Sequence, residues 1–180
     1  MRIIAGKYRG KKLIEPKGYD VRPTSDRARE SIFNILYSHL GSLEGKKVID
    51  VFAGTGALGL EALSRGASKI CFIDKDTKLL SSNVSLFFQE KDKIRIISSD
   101  VVRLQQTNEQ YNLVFSDAPY DQGLNELAFE KLVRCHFLED GAMCIVETRH
   151  NESLNLSSNF ELIDERVYGM AKIWFYLFHV

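Results

Sequence analysis

Cysteine is scarce in this chain, with three in 180 residues, and three cannot all pair with one another. Cys71 and Cys144 fall inside strand-like apolar runs, where a free thiol behaves as a small hydrophobe. Cys71, Cys135 and Cys144 are therefore expected to be reduced. The four histidines, His39, His136, His150 and His179, share no ligand spacing with each other or with a cysteine, so no metal is expected. Long apolar runs are also lacking. The longest are strand-sized, such as residues 173–178, well short of what a membrane helix needs. The N-terminus turns basic again at Lys7 without an apolar stretch, so no secretory signal is visible and a cytoplasmic location is expected.

Net charge is absent too, but only by cancellation. Residues 1–30 carry nine Lys/Arg against four acids, and the other 150 residues carry fifteen against twenty. A basic arm on an acidic body points to a polyanionic partner met at the N-terminus, although basic residues that merely solubilise a hairpin would give the same count.

What is present is enough apolar sequence, 44%, for one full core. Residues 2–15 read as two short strands around Gly6 to Gly10, followed by an irregular link through Pro16-Lys17-Gly18 and Arg22-Pro23. Thr24 or Ser25 can cap a helix that places Ala28, Ile32, Ile35, Leu36 and Leu40 on one face and ends at Gly41. From Lys46, strands alternate with helices: strands over 48–52, 69–73, 94–97, 111–116 and 142–147, with helices to about Ser64, over 77–88 and over about 125–135. That alternation implies a mostly parallel sheet with helices on both faces. Segments 160–168 and 172–178 are joined too closely for a helix and make an antiparallel hairpin. The expected fold is α/β, a Rossmann-like class I methyltransferase domain over 41–180 with seven strands, and residues 1–40 as a basic hairpin and helix extending it.

Gly54-Thr55-Gly56-Ala57-Leu58-Gly59 satisfies G-x-G-x-x-G between a strand and a helix, and Asp74 closes the next strand where a ribose-binding acid is expected. The glycines alone suit a dinucleotide and S-adenosyl-L-methionine equally well. Charge separates them. Asp50, Asp74, Asp100 and Asp117 fall at or near the ends of four successive strands, the edge at which open α/β sheets bind ligands. An acid at the end of the first strand opposes a diphosphate but favours a sulfonium and an ammonium. Asp50 is assigned to the methionine end, directly or through water, Asp74 to the ribose and Asp100 to the adenine amino group. The candidate cofactor set is Asp50, Phe52, Ala53, Gly54, Gly56, Gly59, Asp74, Lys75, Asp100 and Val101.

Asp117-Ala118-Pro119-Tyr120 follows the fourth strand and resembles the (Asp/Asn)-Pro-Pro-(Tyr/Phe) motif of methyltransferases acting on exocyclic amino groups of bases. Such an amine is a poor nucleophile because its lone pair is delocalised into the ring, so a site must accept its hydrogens. Asp117 and the Ala118 carbonyl are the candidate acceptors, and Tyr120 offers a face to a base that has left its stack. Together with Arg2-Ile3-Ile4-Ala5-Gly6, Arg9-Gly10-Lys11-Lys12-Leu13, Arg22 through Glu30 and Asp50 through Ala67, the motif is similar to the bacterial RsmD family over nearly the whole chain.

That resemblance implies a monomeric enzyme methylating the N2 amino group of a guanine in small-subunit (16S) ribosomal RNA, within a ribosomal particle. It also implies RNA contact by the N-terminal segment. The candidates there are Arg2, Lys7, Arg9, Lys11, Lys12, Arg22, Thr24 and Arg27. The linker must cross the pocket mouth, so Thr24 and Arg27 could equally face the cofactor. Ala118 departs from the family's first motif proline, keeping the carbonyl but losing the fixed φ that holds it. Methylation of adenine N6 or of a protein glutamine, a non-catalytic RNA-binding assembly factor and an NAD-dependent oxidoreductase are the alternatives, and the last leaves Asp50 and the tetrapeptide unexplained.

Overall fold

The computed structural model describes residues 1–16 and 25–180. Its centre is a seven-stranded sheet of β1 (Lys47–Val51), β2 (Lys69–Asp74), β3 (Ile94–Ser98), β4 (Tyr111–Asp117), β5 (Leu138–Arg149), β6 (Phe160–Tyr168) and β7 (Ala171–Phe178). The spatial order is β3-β2-β1-β4-β5-β7-β6, with β1 to β5 parallel and β7 antiparallel to both of its neighbours. Strands β1, β2 and β4 are buried along nearly their whole length, the pattern of strands covered on both faces. One face carries α1 (Asp26–Leu40) and α2 (Ala57–Ser64), with Leu80 of α3 (Lys78–Ser85) in the same apolar cluster. The other packs Ala128, Phe129 and Leu132 of α4 (Leu124–Arg134) over Val114, Cys144 and Val146. Because strand order reverses between β1 and β4, a crevice opens at their C-terminal ends.

Two expectations change. The helix read over 77–88 stops at Ser85, and Phe88–Lys93 tightens into a 3-10 turn. The tightening turns Phe87 into the core, edge-on to Tyr8 with ring centroids 5.0 Å apart, and leaves Phe88 outside. The two N-terminal strands reduce to one antiparallel bridge, Arg2 to Lys12. Ile3 N–H still donates to the Lys11 carbonyl at 2.9 Å and Leu13 N–H to the Met1 carbonyl at 3.1 Å, and other donors of the arm are taken by the body. Ile4 and Ala5 N–H donate to the Glu61 carboxylate at 2.8 and 3.0 Å, Tyr8 N–H to Ser64 Oγ at 2.9 Å, and Ile14 N–H to Asn83 Oδ1 at 2.7 Å. Ile3 and Leu13 of this arm are buried in the same cluster as Phe33, Leu60 and Phe115.

Ser25 caps α1, its Oγ accepting from Ala28 N–H at 3.1 Å, and Gly41 at φ 70° ends it. Of the expected face, Ile32 and Leu36 are buried and Ala28, Ile35 and Leu40 half-buried; Arg29 is buried with them. Its guanidinium donates to the Arg2 carbonyl at 2.7 Å and to Asp26 at 2.6 Å, and lies 3.9 Å from Glu61. A charge that deep persists only with such partners.

Candidate active site

The glycine loop is shaped by three different requirements. Gly54 and Gly56 adopt φ of 55° and 77°, a region costly for residues with a Cβ. Gly59 lies within α2, and a Cβ there would stand 2.4 Å from Phe72 Cε1, so its absence lets the helix settle on β2. Phe52, at φ 57°, is held in the same left-handed region at the end of β1, and Ala53 N–H donates back to the Ile73 carbonyl at 3.2 Å.

The four aspartates do not do the same work. Asp74 stands on the pocket wall, and its Oδ2 accepts Gly54 N–H at 2.8 Å, which fixes the start of the loop against β2. Asp50 is buried beneath the loop rather than on the wall. Its Oδ2 accepts Gly59 N–H at 2.9 Å, and burial pushes its pKa up to about 8 against that hydrogen bond. Asp100 lies just behind the wall formed by Ser99 and Val101. Lys75 Nζ, 2.9 Å away, holds its carboxyl below the usual range, while its Oδ1 caps the following turn through Val102 N–H at 3.2 Å.

Asp117, Ala118, Pro119 and Tyr120 all line the pocket, a cavity of about 1270 Å³. Register sets Asp117 of β4 beside Glu147 of β5. Loss of solvent, then the charges of Glu147 and Asp50, raise the Asp117 pKa well above its ordinary value. Tyr120 Oη donates to Glu147 Oε1 at 2.7 Å, and burial followed by that carboxylate raises the phenol. The Arg149 guanidinium lies 5.7 Å from the Tyr120 ring centre. Glu147 and Arg149 are wall residues that sequence reasoning missed. Their only signal was position at the end of β5, and which strand lies beside β4 has to be known before that position means anything.

Across the mouth, Arg27, Ala28 and Ser31 of α1 face the hairpin turn Tyr168–Ala171, and Ser31 Oγ is hydrogen-bonded to Tyr168 Oη. Arg27 thus stands at the pocket rim. Arg22 and Thr24 lie outside the described residues. The remaining basic candidates spread over the arm. Arg2 Nε is 3.4 Å from Asp26, whereas Arg9 and Lys12 are exposed. Lys7 Nζ is 2.5 Å from Glu90, whose carboxyl is drawn down to about 2 by Lys7, Lys93 and Tyr8, and Lys11 Nζ lies 5.1 Å from the Phe87 ring centre. The Lys7–Tyr8 turn contacts Ser64, at the far end of α2 from the glycine loop. It therefore stands at the opposite edge of the sheet from the pocket.

The wall mixes apolar Val51, Phe52, Ile73 and Val101 with the carboxylates of Asp74, Asp117 and Glu147. That set fits a ligand with a flat apolar part and a cationic group, as S-adenosylmethionine has, and fits a diphosphate poorly. No group of acids, histidines and cysteines among the described residues could hold a metal ion, and no helix among them is long and apolar enough to cross a membrane.

Sheet order, glycine loop and acid-lined crevice together define a class I methyltransferase, the class whose methyl donor is S-adenosylmethionine. The family described as conserved hypothetical protein 95 matches residues 1–177. Ribosomal RNA small subunit methyltransferase D of Haemophilus influenzae is 33% identical over 98% of this chain and 93% of its own length. That of Escherichia coli K12 is 35% identical over 95% and 86%. The solved yhhF protein of Escherichia coli superposes with a TM-score of 0.83 at 33% identity, covering 100% of this chain and 98% of that one. The chain belongs to this family of ribosomal RNA small subunit methyltransferase D proteins.

Proposed function

We propose that this protein transfers a methyl group to the exocyclic N2 amino group of a guanine in small-subunit ribosomal RNA, acting as a cytoplasmic monomer on a ribosomal particle. The observation that carries the reading is Asp117-Ala118-Pro119-Tyr120 on the wall of the same cavity as Asp74 and the glycine loop. S-adenosylmethionine, when bound, supplies a methyl group on a positively charged sulfur. Asp74 and the backbone around Gly54 and Gly56 would hold its ribose, Phe52, Ile73 and Val101 its adenine, with Asp100 and Lys75 closing that end. Asp50 acts from below by fixing α2.

Tyr120 receives the base and the Ala118 carbonyl accepts one amine hydrogen, which orients the nitrogen. Methylation leaves the nitrogen with one proton too many, and Asp117 is the acceptor at hand. Burial and Glu147 give it a higher proton affinity than an exposed carboxylate has. A cysteine adduct has no support, since Cys71, Cys135 and Cys144 are buried and burial pushes the Cys71 thiol up to about 11. The test is labelled methyl transfer to ribosomal RNA from a strain lacking this gene, with the modified nucleoside identified. N2-methylguanosine is expected, and N6-methyladenosine would reassign the substrate.

A further inference from the structure

The loop that follows β4 carries an unusual backbone. Asp121 sits at φ 60°, a left-handed conformation uncommon for a non-glycine residue, although aspartate adopts it more readily than most. Such a residue persists where its surroundings over-determine it. Here they do, and all of the partners come from the end of β5 and the turn after it. Glu152 Oε1 accepts Asp121 N–H at 3.2 Å, and Glu152 Oε2 accepts Arg149 N–H at 3.2 Å, so one carboxylate clips the loop to the strand. Arg149 Nε lies 3.4 Å from the Asp121 carboxylate. One residue earlier, Tyr120 Oη is anchored on Glu147 at 2.7 Å. Asn125 stitches the base of the same loop, accepting from Ser116 Oγ at 2.7 Å and donating to the Glu147 carbonyl at 3.2 Å.

We infer that Glu147, Arg149 and Glu152 form a tether that holds the Asp117–Tyr120 loop in its working shape, replacing the rigidity that a proline at position 118 would supply. The inference rests on the reading of this loop as the methyl-transfer site. A proline acts on one φ from within the backbone, whereas the tether acts from outside on Tyr120 and Asp121, beyond Pro119. Both restrict one short segment, so either suffices in part when the other is missing. Asp117, the residue before position 118, is in strand conformation, which a following proline favours. Glu147, Arg149 and Glu152 are positioning residues on this account.

The experiment compares Glu147→Ala, Glu147→Gln and Tyr120→Phe, each with and without Ala118→Pro, in the full chain. Glu147→Ala should lower kcat by about tenfold, because orientation of the loop is lost. Glu147→Gln keeps an acceptor for the phenol and should recover most of kcat at pH above neutrality. Tyr120→Phe cuts the same hydrogen bond without opening a cavity and should resemble Glu147→Ala. Ala118→Pro should raise kcat more in the Glu147→Ala background than in the unaltered chain, a non-additivity that independent effects do not produce. Amide exchange of Tyr120–Gln122 reads the tether without any turnover: it should quicken in Glu147→Ala and slow again on adding Ala118→Pro. Unchanged exchange in Glu147→Ala, or equal gains from Ala118→Pro in both backgrounds, overturns the tether. An unaltered chain that transfers no methyl group overturns the functional reading alone and leaves the exchange result to decide the tether.

Discussion

Asp50 and Gly59 are joined by a 2.9 Å hydrogen bond from the backbone N–H of the third loop glycine to the carboxylate at the end of β1. The bond ties strand to helix beneath the cofactor loop, and burial raises the Asp50 pKa to about 8. The unfolded chain releases that proton near the ordinary value of about 3.9. Between those two values the folded state binds more protons than the unfolded one, so the Asp50 contribution to stability falls as pH rises. Thermal unfolding of the cofactor-free protein at pH values between about 5 and 8 should show this decline, and Asp50→Asn, which keeps an acceptor for Gly59, should flatten it. A variant with an unaltered slope would place the buried proton elsewhere.

Gly59→Ala should destabilise the protein by about 1–3 kcal/mol despite alanine's better helix propensity, because the new Cβ meets the Phe72 ring. Gly10→Ala meets no atom within 4 Å and loses only the positive φ of 84°. Urea denaturation of the two variants separates crowding from backbone strain. An equal loss in both would deny the close helix–strand approach.

Removal of Glu61 should be among the costliest single changes. The carboxylate accepts from Ile4 and Ala5 N–H, receives Arg65 Nε at 2.7 Å and lies 3.9 Å from the buried Arg29. Glu61→Ala takes the carboxylate from the buried Arg65 guanidinium, leaves Arg29 with Asp26 alone among the described acids and orphans two backbone donors of the arm, a loss of about 3–5 kcal/mol. Urea denaturation should show it as a lower midpoint, with faster proteolysis within residues 1–16 reporting the freed arm.

Asp117→Ala should cut methyl transfer by about a hundredfold or more while calorimetry still detects cofactor binding. The pH profile carries a sharper test. Asp117 accepts a proton only when ionised, and Glu147 is one of the charges that raise its pKa, so activity falls on the acid side. Glu147→Gln should move that acid limb to lower pH. A limb that stays in place would mean that a different group titrates.

Phosphate contact predicts a division among the basic residues. Neutralising Arg9 or Lys12 should each reduce the slope of log affinity for ribosomal RNA against log salt by about one. Lys7→Ala should change it less, because its ammonium is already engaged by Glu90 at 2.5 Å. Equal changes at all three positions would show that RNA displaces the Glu90 contact.

Periodic residues carried most of the fold. The buried runs of β1, β2 and β4 and the β6–β7 hairpin follow from local pattern, and so does the glycine loop between β1 and α2. The arm's alternation promises strand pairing, and part of it is made, as between Ile3 N–H and the Lys11 carbonyl, while Ile4, Ala5, Tyr8 and Ile14 donate instead to Glu61, Ser64 and Asn83 from helices 56 to 69 residues away. Arg29 has the pattern of a solvated helix residue until Glu61 is folded against it. At the site, the strand-end aspartates were visible as a group, but their division of labour was not. Asp74 and Asp117 reach the wall, whereas Asp50 is turned beneath the loop toward α2, a direction that depends on helix packing. Glu147 was invisible for the same kind of reason, since only the β4–β5 register brings it to Asp117.

The hydrogen bond between Ser31 and Tyr168 spans 137 residues of sequence and crosses the mouth of the cavity. It joins α1 to the terminal hairpin on one side of the cavity. On the proposed function, an entrance bridged there favours a single extruded base over a paired helix. On that reading the nucleic acid would do the bending, and places where a base is already cheap to extract would be favoured.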